Sequence, residues 1–97
     1  MNIYAKEMTK LYDGLTERKI PCQIRILYDG VQILCDTWDA VCHSGSYGHE
    51  DGLIEVMGLG CDEDDVIGYL TANDVLALVD KEKWNYLNGL KPTYKIE

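Results

Sequence analysis

The chain has 97 residues, 46% of them apolar and 27% charged, and a formal net charge of −8. That size suits one compact domain spanning 1–97 with a modest core. The acidic balance excludes a general electrostatic grip on nucleic acid, which needs clustered Lys and Arg, and it disfavours an anionic membrane face.

No stretch approaches the roughly 18–20 apolar residues of a membrane helix. The opening "MNIYAKEMTKLYDG" spreads charges where a secretory signal needs an apolar run. Cys22, Cys35, Cys42 and Cys61 are even in number, which would suit two disulfides in an exported protein. Without an export signal the expectation is a cytoplasmic protein with reduced thiols. Phe is absent while Tyr occurs seven times, so some tyrosines must sit at the core margin with the hydroxyl in water. A small core also makes homo-oligomerisation a natural way to bury more apolar surface.

Residues 2–19 predict a helix, because Tyr4, Met8, Leu11 and Leu15 recur at the spacing of one helical face. Ile20-Pro21 ends it, since the residue before proline avoids the helical basin. Gly14 marks either close packing or an earlier end. Next, "IPCQIRILYDGVQILCDT" sets Asp-Gly between two alternating runs, the signature of a two-residue hairpin. A turn at Asp29-Gly30 pairs Tyr28 with Val31, Ile26 with Ile33, Ile24 with Cys35 and Cys22 with Thr37. One face then collects Cys22, Ile24, Ile26, Val31, Ile33 and Cys35, which makes the two cysteines small core residues.

"WDAVC" predicts a short third strand. "LIEVMGL", Leu53 to Leu59, is apolar on both faces except at Glu55 and reads as a central or doubly covered strand. A polar connection, "GCDEDD", leads to another strand at Val66–Leu70. Thr71 and Asp74 then form a capping-box pair opening a second helix, with Val75, Leu78 and Val79 toward the core. In the tail, either the helix runs to Asn88 with Gly89 as its cap, or Asn88-Gly89 turns a final hairpin; the apolar face at Tyr86 and Leu87 favours the helix. The order predicts an α+β domain: an antiparallel sheet of four to five strands with an N-terminal and a C-terminal helix.

The stretch "VCHSGSYGHEDG", Val41 to Gly52, differs in composition from everything around it. It holds both histidines, a cysteine, two serines, a tyrosine and three glycines. One reading is a contact loop for a protein or small-molecule partner, offering Ser44, Ser46, Tyr47, His49, Glu50 and Asp51. A second is a metal site built from Cys42, His43, His49 and Cys61, all good zinc ligand types. Its spacing lacks the short paired hooks of structural zinc sites, and adjacent strand residues such as Cys42 and His43 point to opposite faces. A Cys-His hydrolase with Cys42 or Cys22 as nucleophile and His49 as base is a related alternative. Gly45, Gly48 and Gly52 suit an anion cradle, but Glu50 and Asp51 would repel a phosphate, and neither phosphate-binding nor dinucleotide motifs occur. "CDEDD" fails as a calcium loop, because Ile67 and Asn73 stand where that loop needs Gly and Glu. With Glu50, Asp51 and Glu55 it forms a candidate acidic patch for a basic partner. No residue set calls for a cofactor.

"DDVIGYLTANDVLALVD" resembles the strand-turn-helix segment of nucleotide-sensing CBS domains at Gly68, Thr71 and Asp74, although the earlier part of the chain does not supply the rest of that fold. "WDAVCHSGSYGHEDGLIEVMG" with "VIGYLT" resembles short uncharacterised proteins of phages and prophages of Gram-positive bacteria. That resemblance implies a small accessory protein and transfers no functional residue. The sequence reading is therefore a non-enzymatic binding protein, with the metal or hydrolase reading of the 42–61 region as its alternative.

Overall fold

The structure, a computed structural model, describes residues 2–59 and 65–90. It has an N-terminal helix α1 (Ile3–Glu17), strands β1 (Gln23–Leu27), β2 (Gly30–Leu34), β3 (Asp39–Cys42), β4 (Ile54–Met57) and β5 (Val66–Leu70), and helix α2 (Ala72–Leu90). The strands form one antiparallel sheet in the order β1-β2-β3-β4-β5, with each strand beside its sequence neighbours. Both helices cover one face, and the core lies between them and β2–β4.

Helix α1 buries the predicted face: Met8, Leu11 and Leu15 are fully buried and Tyr4 packs at the margin. It starts at Asn2, whose side chain accepts the Tyr4 N–H at 2.7 Å. It stops two residues before the expected end at Lys19, and the proline is not what stops it. Lys19 adopts φ +58°, the Ile20 N–H reaches back to the Leu15 carbonyl at 3.0 Å and the Lys19 N–H to Thr16 at 2.9 Å. Those two bonds are a Schellman cap with lysine at the position glycine usually takes. Gly14 marks close packing: a Cβ there would overlap the end of the Leu76 side chain on α2.

The hairpin's register corrects the sequence reading. Gln23 pairs with Leu34, Ile24 with Ile33, Arg25 with Gln32, Ile26 with Val31 and Leu27 with Gly30. The turn residues are therefore Tyr28-Asp29, with φ +55° at Tyr28, and Gly30 is the first residue of β2. Gly30 is needed there for space, because a Cβ would strike the Cys42 carbonyl at the end of β3 and His43 just beyond it. The shift is two residues, so each side chain keeps its face while every partner changes.

Strand β4 is flanked by β3 and β5 but is neither the central strand nor covered on both faces, which corrects the expectation: Ile54 and Val56 are fully buried, while its other face carries half-buried Glu55 and exposed Met57. That open sheet face carries a polar chain in which Arg25 Nε donates to Gln32 Oε1 at 2.6 Å and Gln32 Nε2 donates to Asp39 Oδ2 at 2.9 Å. Strand β5 spans the predicted residues, but a bulge at Gly68-Tyr69, with Tyr69 at φ +61°, breaks its ladder with β4. Helix α2 opens on the predicted capping box: Thr71 N–H to Asp74 Oδ2 at 3.0 Å and Asp74 N–H to Thr71 Oγ1 at 3.1 Å. Glu7 of α1 accepts a further first-turn donor, the Ala72 N–H, at 2.8 Å. Val75, Leu76 and Val79 are buried and Leu78 sits at the core edge. The helix continues past Gly89 to Leu90, so Asn88-Gly89 does not turn a hairpin.

Candidate functional site

Val41 and Cys42 belong to β3, and the loop proper, residues 43–53, crosses the end of the sheet before entering β4. Its first half folds on itself. Ser46 is buried; its Oγ accepts the His43 N–H at 3.0 Å and donates to the His43 carbonyl at 2.9 Å. The His43 ring turns back to accept the Gly45 N–H at Nδ1, 2.9 Å away. The same ring packs edge-on against Tyr28 with centroids 5.5 Å apart, and the Ser44 N–H donates to Asp29 Oδ1 at 3.0 Å. That Ser44 N–H holds the Asp29 carboxyl below the ordinary carboxylate range. These contacts fasten the loop to the β1–β2 turn.

The second half goes elsewhere. His49–Asp51 form a single 3-10 turn between Gly48 and Gly52, at φ +94° and +69°, where side-chain-bearing residues are strained. His49 lies beside the start of α1: its Nδ1 shares a 3.4 Å hydrogen bond with the Tyr4 hydroxyl, and the two rings meet edge-on at 6.0 Å. The Tyr47 N–H donates to Glu55 Oε1 at 3.0 Å and its carbonyl accepts the Tyr69 N–H at 3.3 Å. A Cβ at Gly68 would collide with Tyr47, so the loop lies directly on the β5 bulge.

The structure thus separates the two histidines, sending His43 to the β1–β2 turn and His49 to α1. Cys42 points away from both, fully buried in the core, where burial pushes its thiol up to about 11. Fully enclosed by the core, that thiol is out of reach of a substrate or reagent. Among the described residues no three His, Cys, Asp or Glu side chains gather as a metal site would require. Cys61, with Asp62 to Asp64 of the candidate acidic patch, lies outside the described residues. Of the six expected contact residues, Ser44, Tyr47, Glu50 and Asp51 are exposed, His49 is half-buried and Ser46 faces inward.

Two features on β1 escaped the sequence reading. The strand is a free edge of the sheet, and on its helix-side face Ile24 is 45% exposed and Ile26 83% exposed, with the turn residue Tyr28 at 82%. Among the described residues, helices α1 and α2 pack mainly on β2–β5 and leave this strip exposed. The alternation that marked Ile24 and Ile26 as buried was real; only the lateral extent of the helix layer decided that they are not. The second feature is the approach of Cys22 to Cys35, which the expected register had kept apart.

No protein-family model matches the chain, and no curated protein or solved structure is significantly similar to it. Among the described residues the fold is a five-stranded antiparallel meander with two helices on one face, a bulged edge strand β5 and an unbulged edge strand β1.

Proposed function

We propose that this is a non-enzymatic binding protein that recruits an extended segment of a partner protein onto the edge of β1. The observation that carries the reading is the asymmetry of the two sheet edges. Strand β5 is interrupted by the Gly68-Tyr69 bulge, on which Tyr47 lies, and such a bulge blunts an edge against further pairing. Strand β1 carries no such device. The two-residue turn makes Leu27–Gly30 the closing hydrogen-bonded pair, so alternation directs the backbone N–H and C=O of Ile24 and Ile26 outward. An added strand would gain those bonds together with the apolar surface of Ile24, Ile26 and Tyr28.

Charge selects the occupant. Arg25 stands at the middle of β1 on the opposite face and makes no ion pair among the described residues. Symmetric pairing with a second copy centred on β1 would set Arg25 against Arg25, a cross-strand clash of like charges. A segment with alternating apolar residues and an acid facing Arg25 fits both faces. The exposed Ser44 and the turn at Tyr28-Asp29 extend the surface past the strand's end, so part of the 41–52 loop borders it. A cytoplasmic setting, with thiols kept reduced, suits this reading.

The test uses the labelled full chain and a synthetic peptide that alternates valine with polar residues around a central glutamate. Amide shifts concentrated at Gln23–Leu27, weakened when the glutamate becomes lysine and lost in Ile26→Lys, are expected. A peptide without effect on β1 overturns the reading, as does concentration-dependent dimerisation through β1 in light scattering.

A further inference from the structure

We propose that Cys22 and Cys35 form a dithiol modification site, which a low-molecular-weight disulfide converts into a cross-strand Cys22–Cys35 bridge at the foot of the β1–β2 hairpin. The last ladder pair of that hairpin is Gln23–Leu34, and the next residues outward on the two strands are Cys22 and Cys35. Continuing the ladder by one pair sets them opposite each other on the helix-side face, where the two thiols perturb one another. Both are half-buried against the core margin and neither is bridged.

The pair type favours closure. Counting from the hydrogen-bonded Leu27–Gly30 pair, every second pair is hydrogen-bonded, which places Cys22–Cys35 in the non-hydrogen-bonded class. The Cys35 N–H agrees, since it points the other way and donates to the Trp38 carbonyl at 2.9 Å. Opposed residues of that class have Cα atoms about 4.5 Å apart, at the short end of the ~4.4–6.8 Å range that a disulfide spans. Closure therefore needs rotation about side-chain bonds and no movement of the strands.

The order of attack follows from the surroundings. Burial pushes both thiols up, Cys35 to about 12, and the contact between them lowers Cys22 while raising Cys35. Cys22 also lies at the edge of the sheet, whereas Cys35 lies at the end of a strand flanked on both sides, so Cys22 attacks first. Its sulfur, on losing its proton, displaces one thiolate from the reagent disulfide and forms a mixed disulfide. Cys35 then loses its proton and attacks the Cys22 sulfur, expelling the second thiolate. The two protons leave with the two released thiols. The protein is oxidised by two electrons and the reagent is reduced by two.

This inference does not depend on what binds β1. In the test, the full chain is incubated with oxidised glutathione, free thiols are alkylated, and peptides are mapped by mass. The expected product is a Cys22–Cys35 bridge that dithiothreitol reverses, with Cys42 still free. Cys35→Ser should trap glutathione on Cys22, because the resolving thiol is missing. A persistent glutathione adduct on the wild-type chain, pairing of either thiol with Cys61, or both thiols still open to alkylation would overturn the proposal. An untrapped Cys35→Ser chain would overturn Cys22 as the attacking group.

Discussion

Arg18 ties the two helices together by holding both carboxylate oxygens of Asp80, with Nε to Oδ1 at 2.9 Å and Nη2 to Oδ2 at 3.0 Å. Its third contact, Nη1 to the Gly14 carbonyl at 3.1 Å, satisfies one of the acceptors at the end of α1. The fork therefore joins the C-terminal cap of α1 to the exposed side of α2, next to the crossing where Gly14 meets Leu76. The Arg18 guanidinium holds the Asp80 carboxyl below the ordinary carboxylate range.

A depressed carboxyl pKa has a definite sign. The pair adds stability that is complete above the unfolded-state carboxyl value of about 4 and is lost as pH falls through the lower folded value. Asp80→Asn should lower the urea midpoint at pH 7, by a small amount because both groups face water. The gap between variant and wild type should close as the pH drops below about 4. Urea titrations at pH 7, 4 and 2.5 measure this, and a gap that widens at low pH would refute the pairing.

Lys19 occupies a left-handed position that costs a side-chain-bearing residue about 1–2 kcal/mol, and its φ is +58°. Lys19→Gly should therefore stabilise the protein, by about 0.5–1 kcal/mol once the greater freedom of glycine in the unfolded chain is subtracted. The Schellman bonds survive, since they use backbone atoms only. Thermal melting of the variant checks the direction; Lys19→Ala should give no such gain.

Two glycines separate backbone crowding from side-chain crowding. Gly30→Ala must push β2 away from the Cys42 carbonyl and His43 backbone, and neither can yield without breaking the β2–β3 ladder. A loss of about 2–4 kcal/mol is expected. Gly14→Ala meets only the flexible end of Leu76. It also gains about 1 kcal/mol of helix propensity, so its net change should stay within about 1 kcal/mol of zero. Urea denaturation of both variants makes the comparison, and equal losses would contradict the account.

Ser46 tests whether the loop is built from within. Its buried hydroxyl serves both the N–H and the carbonyl of His43, so Ser46→Ala should cost about 1–3 kcal/mol by leaving buried groups unpaired. Ser44→Ala, at an exposed residue whose backbone N–H keeps its bond to Asp29 while only the solvent-facing hydroxyl contact is lost, should cost less, under about 1 kcal/mol. Melting temperatures of the two variants give the order directly.

Much of the architecture was written in local patterns. The Tyr4, Met8, Leu11 and Leu15 stripe, the Thr71–Asp74 cap and the strand at Val66–Leu70 all emerged as read. Each depends on residues within a few positions of one another, where periodicity and capping chemistry act. The alternation of Ile24, Ile26, Val31 and Ile33 also correctly sorted the faces of the first hairpin. Its register did not follow, because Asp-Gly is the favoured two-residue turn and nothing local reveals that Gly30 lies against β3.

The same division runs through the candidate site. Composition alone singled out Val41–Gly52, and its glycines do shape the turns there. Only the tertiary structure could send His43 to Tyr28 and His49 to Tyr4, turn Cys42 into the core, leave Ile26 beyond the reach of the helices and set Cys22 opposite Cys35. Those outcomes depend on contacts between residues far apart in the chain, decided by sheet register and by how far two helices extend across five strands. A linear sequence shows which side chains share a face; the packed layers decide which of them are covered.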